Sequence, residues 1–85
     1  MRVVVVYKQN TDYTRQVDEW LFDFKRLTGR DLEILNPETP DGISFCQAYG
    51  VMEYPTMLAL ADDGQMQNMW RGLPLPTLSE VSYYA

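Results

Sequence analysis

The sequence predicts one α/β domain in which a four-stranded mixed sheet is flanked by helices on both faces. Three observations carry that expectation. Val3-Val4-Val5-Val6-Tyr7 is continuously apolar and almost wholly β-branched. A strand buried on both faces reads this way, and such strands belong to sheets covered by helices. Val17, Trp20, Leu21, Phe24 and Leu27 then recur at i, i+3, i+4, i+7 and i+10, which marks one face of an amphipathic helix. Further on, Asp62-Asp63-Gly64 separates two strand-like runs, and Asp-Gly supplies the positive φ of a tight hairpin turn.

The elements follow in order. After the valine strand, the helical period starts near Thr14, with Arg15, Asp18, Glu19, Asp23, Lys25 and Arg26 on the polar side, Phe22 off the apolar face, and Gly29 as C-cap. Leu32-Glu33-Ile34-Leu35 reads as a short second strand closed by Asn36-Pro37. Thr39-Pro40 has the form of an N-cap with proline at the first helical position. Ile43, Phe45, Cys46 and Tyr49 then form a short second helix, weakened by Gly42 and ended by Gly50. Thr56 to Ala61 is a third strand, and Gln65 to Arg71 returns antiparallel to it. After the loop Gly72 to Pro76, Thr77-Leu78-Ser79-Glu80 is a capping box opening a last helix to about Tyr84. A strand-helix-strand start implies a right-handed parallel crossover, and the hairpin adds an antiparallel edge.

With 85 residues there is room for one domain, residues 1–85, and one core. A net charge of −5, with only Lys25-Arg26 adjacent among the basic residues, argues against nucleic acid and anionic membranes as partners. There is no His and one Cys, so the usual zinc sets, an internal disulfide and any Ser-His-Asp or Cys-His arrangement are excluded. The apolar run after Met1-Arg2 breaks at Lys8, short of the roughly 7–15 residues of a signal peptide's apolar region. The expectation is a soluble, cytoplasmic protein with no cofactor and no metal.

The order β-α-β-α-β-β-α, joined to Tyr49-Gly50-Val51-Met52-Glu53-Tyr54-Pro55-Thr56, resembles the thioredoxin/glutaredoxin superfamily. In that family a Tyr-Gly-Val-x-x-x-Pro-Thr segment ends the second helix and opens the third strand, with the proline in cis. The resemblance continues through Asp63-Gly64-Gln65, Trp70-Arg71-Gly72 and the closing helix, and reaches back to the valine strand. It implies a thioredoxin-like fold. The family's redox work is done by Cys-x-x-Cys just past the first strand, where the helix N-terminus lowers the first thiol's pKa. Here that slot holds Thr11-Asp12-Tyr13-Thr14, and Val5 stands where many thioredoxins keep a buried acid. The resemblance therefore implies the scaffold without its chemistry, and no catalytic residue.

Each candidate residue has a plainer reading beside the functional one. Cys46 is the only thiol. It lies within the second helix on the expected sheet-facing side, so it reads as a small core residue rather than a redox centre. Thr11 or Asp12 reads as a helix N-cap, or, with Tyr13 and Thr14, as part of a contact loop. By the resemblance, Pro55 holds the backbone groups of Tyr54 open to pair with an extended peptide as an added strand, with Tyr13, Met52 and Tyr54 as side-chain contacts. Met57 and Met66 read as core filler, and Trp70 as packed on the last helix with its N–H on a partner. Tyr83 and Tyr84 read as a frayed end or a cover for the sheet edge. Asp18-Glu19 and Asp62-Asp63 are a solvated helix face and a turn.

The leading expectation is a redox-inactive module that binds a protein or extended peptide through Thr11, Asp12, Tyr13, Thr14, Met52, Tyr54, Pro55 and Thr56, the chain itself being a monomer. Two alternatives stand beside it. One is a thioredoxin- or glutaredoxin-type thiol-disulfide oxidoreductase working through Cys46. The other is an assembly subunit pairing through the edge of the second or fourth strand.

Overall fold

The computed structural model describes residues 1–85. The elements are β1 (Arg2–Val6), α1 (Thr14–Thr28), β2 (Glu33–Leu35), α2 (Pro40–Tyr49), β3 (Thr56–Leu60), β4 (Met66–Arg71) and α3 (Leu78–Ser82). The sheet order is β2-β1-β3-β4, with β1 parallel to β2 and antiparallel to β3, and β3 antiparallel to β4. The mixed four-stranded sheet of the sequence reading is present. No helix is long and apolar enough to cross a membrane.

The two central strands explain the valine run. Every residue of β3 is buried, as are Val3 to Val6 of β1, and alternate side chains feed opposite faces. Val3, Val5, Tyr7, Met57 and Ala59 pack with Val17 and Phe24 of α1 and Val81 of α3. Val4, Val6, Leu58 and Leu60 pack with Cys46 of α2 and Val51. Two helices therefore cover one face and one helix covers the other. Cys46 is in the core, as its place in α2 implied.

The turn chemistry is as read. Thr39 Oγ1 accepts from the Gly42 N–H at 3.1 Å, and Pro40 opens α2. Thr77 and Glu80 close their capping box. Gly64 takes φ 87° after a turn in which its N–H donates to the Ala61 carbonyl. The Tyr54–Pro55 and Leu73–Pro74 bonds are both cis.

Several expectations are corrected. Leu27 is 65% exposed, because it lies about 70° round the helix from the line through the buried Val17 and Phe24. Met66 is exposed, since it sits at the start of the edge strand β4, past a register shift between Ala59 and Leu60. Ile43 is exposed as well, because the sheet-facing line of α2 is Gly42–Cys46, one turn apart. Gly42 is not a weakness of α2. A side chain there would run into the Asn36 carbonyl, so glycine is what lets α2 close onto the end of β2. Neither Thr11 nor Asp12 caps α1. The N-cap is Tyr13, with no side-chain cap bond, and the threonines are used otherwise.

Trp70 meets the C-terminal segment through Tyr84, edge-on at 5.6 Å between ring centres. α3 itself ends at Ser82. The indole N–H that finds a carbonyl is that of Trp20, which donates to Pro76 at 2.8 Å and ties α1 to the loop before α3.

Candidate functional site

The segment between β1 and α1 is organised around one hydroxyl. Thr14 Oγ1 donates to the Lys8 carbonyl at 2.7 Å and accepts from the Thr11 N–H at 3.0 Å. Its proton being committed to Lys8, the 2.8 Å contact with Thr11 Oγ1 has Thr11 as donor. The Tyr13 hydroxyl accepts from the Lys8 N–H at 3.1 Å, and Asn10 takes the left-handed conformation that asparagine tolerates. These bonds draw residues 8–14 into a closed loop. Within it, the hydroxyls of Thr11 and Thr14 face each other, in the two positions that the resemblance assigns to thiols.

Opposite stands the segment 52–56. The Thr56 hydroxyl donates to the Glu53 carbonyl at 2.6 Å, and the Gly72 N–H donates to the Pro55 carbonyl at 2.7 Å. These bonds fix the backbone on either side of Tyr54. The N–H and C=O of Tyr54 itself make no hydrogen bond within the chain. Met52 is 89% exposed. Pro55 and Thr56 are buried, so they form the floor rather than contact surface.

The two segments meet through Lys8, whose ammonium lies 5.2 Å from the centre of the Tyr54 ring, within range of a cation–π interaction. Partial burial, then Cys46, then Tyr13, raise the Tyr54 phenol above its ordinary value. Of the residues singled out in the sequence, Thr11, Tyr13, Thr14, Met52, Tyr54 and Pro55 thus gather at one end of the sheet. Asp12 is exposed on the loop and makes no hydrogen bond. Lys8 was missed. Its only sequence signal is being the first charge after the valine strand.

Beside Tyr54 runs a cleft of about 280 Å³ whose lining includes Ile43, Cys46, Val51, Met52 and Tyr54. A wider depression of about 510 Å³ on the outer side of α1 shares no residue with it and is lined by charged side chains around Phe22. No three His, Cys, Asp or Glu side chains converge as a metal-binding set. Chemically, the site offers backbone hydrogen-bonding groups, aromatic surface, a thioether and one cation. It has no thiol at the start of α1.

No family model matches the sequence, and no curated protein matches it. Among solved structures, the chain is similar to thioredoxin 1 from the thermophilic eubacterium Thermosipho africanus TCF52B. The TM-score is 0.66 at 13% identity, covering 99% of this chain and 89% of that one. The fold is thioredoxin-like.

Proposed function

We propose that this thioredoxin-like chain is a redox-inactive module that captures a protein through an extended segment, added as a strand to Tyr54. The observation that carries the reading is the unpaired N–H and C=O of Tyr54, held between fixed neighbours and flanked by Met52, Tyr13 and Lys8. An extended chain satisfies such groups through its own main chain, and neighbouring side chains supply selectivity. The absence of redox chemistry is supported by the threonines at positions 11 and 14. It is supported also by the place of Cys46 in the interior of α2, 8% exposed and away from any helix N-terminus.

A displayed library of extended peptides, panned in excess reductant, tests the binding. Selected peptides are expected to shift the Tyr54 amide resonance and to lose at least about tenfold in affinity for a Tyr13→Ala/Met52→Ala variant. Equal binding by the variant, with the Tyr54 amide unmoved, rejects the site. The oxidoreductase alternative is separated by the native protein's reaction with Ellman's reagent. Cys46 is expected to react slowly when folded and fast only on unfolding, and fast native reaction would favour a redox role.

A further inference from the structure

The β4 edge of the sheet has an unusual arrangement at its middle. Just past β4 the Gly72 N–H points inward, to Pro55. In an antiparallel ladder inward and outward residues alternate. Counting back by twos, Trp70 and Asn68 also face β3, while Met69 and Arg71 turn their main-chain groups to the open edge. Such an edge, with one row of free N–H and C=O groups, is a template for strand addition.

The Met69 N–H is not free. It donates to Asn68 Oδ1 at 2.8 Å. The other end of that amide, Asn68 Nδ2, donates to the Tyr84 hydroxyl at 3.4 Å, and Tyr84 packs edge-on to Trp70. The side chain of Asn68 lies on the face where its cross-strand partner Ala59 packs against α1 and α3, which is where Tyr84 can reach it. The register shift between Ala59 and Leu60 distorts the same edge one step away.

We infer that Asn68, held by Tyr84, keeps the β4 edge shut against strand addition by a second copy of this chain. The amide supplies in cis the acceptor that a neighbouring strand would otherwise bring, and the C-terminal tyrosine fixes the amide in place. A second copy is the relevant occupant because every copy carries the same edge at the same concentration. Antiparallel pairing about a two-fold axis then needs no further complementarity.

Amide exchange of the wild-type chain tests the first link without any variant. The Met69 N–H is expected to exchange roughly tenfold more slowly than the outward N–H of Arg71, and equal rates overturn the inference. Light scattering across concentration tests the second. Asn68→Ala is expected to self-associate at least about tenfold more tightly than wild type, and Tyr84→Phe to shift the same way by less. Adding Met69→Pro to Asn68→Ala removes the outward N–H without touching the β3 ladder, and is expected to restore the monomer. An Asn68→Ala chain that stays monomeric, or a double variant that stays associated, overturns the inference. An unchanged Tyr84→Phe chain overturns the part given to Tyr84.

Discussion

The Tyr7 hydroxyl, just past the end of β1, donates a 2.6 Å hydrogen bond to Asp18 Oδ1 on α1. It spans β1 and α1 across the loop that carries Thr11 to Thr14, so it sets the spacing of that loop's two ends. Burial, then the Asp18 bond, raises the Tyr7 phenol above its ordinary value.

A raised folded-state pKa means that the stabilisation is full below the ordinary tyrosine value and is lost as pH rises through the folded one. Tyr7→Phe is therefore expected to cost about 1–2 kcal/mol at neutral pH. The difference between wild type and variant should hold to about pH 9 and shrink above about pH 10. Urea titrations across that range check it. A difference that stays flat into alkali would reject the assignment.

Gly42 gives the second prediction. Alanine within a helix ordinarily gains roughly 1 kcal/mol over glycine. Here the added methyl would lie 2.9 Å from Pro37 Cα and closer still to the Asn36 carbonyl, backbone atoms that cannot swing aside. Gly42→Ala is expected to lose about 2–3 kcal/mol in chemical denaturation. A gain in stability would show that α2 stands further from residues 36–37 than described.

A third prediction concerns the loop. Thr11 Oγ1 and Thr14 Oγ1 are 2.8 Å apart, so their Cβ atoms lie near the separation of roughly 3.5–4.5 Å that a disulfide requires. The Thr11→Cys/Thr14→Cys variant is expected to oxidise to an intramolecular disulfide. After oxidation and unfolding, a thiol count should then find Cys46 alone. Two further free thiols, or disulfide-linked dimers, would mean the side chains do not face each other.

How much of this was legible in the sequence differs by element. β1, β3 and the Asp63-Gly64 turn were readable because burial on both faces and a positive φ each restrict composition directly. Gly42 was misread because intrinsic helix propensity counts only the helix, whereas the deciding contacts come from Asn36 and Pro37, just past the end of the preceding strand. Leu27 and Met66 were misplaced because periodicity gives a face but not how far the covering layer extends. At the site, the sequence offers Thr11 as a helix cap or, with Thr14, as part of a contact loop. Thr14 Oγ1 instead donates back to the Lys8 carbonyl while Thr11 bonds to Thr14, and that return depends on the loop's curvature. Lys8 carried no pattern of its own. Its relation to Tyr54 exists only once β1 and β3 are paired.

That pairing has one more consequence. Residues 8–14 follow β1 through the buried Tyr7, and residues 52–55 run directly into β3, the two adjacent central strands, buried at Val3 to Val6 and throughout β3. Both halves of the Lys8–Tyr54 contact thus hang from the buried centre of the sheet, not from its edges. Whatever binds there meets a surface already ordered, with little loop entropy left to lose. Its affinity should then fall when core residues such as Val6 or Leu58 are trimmed, although neither is within reach of a partner.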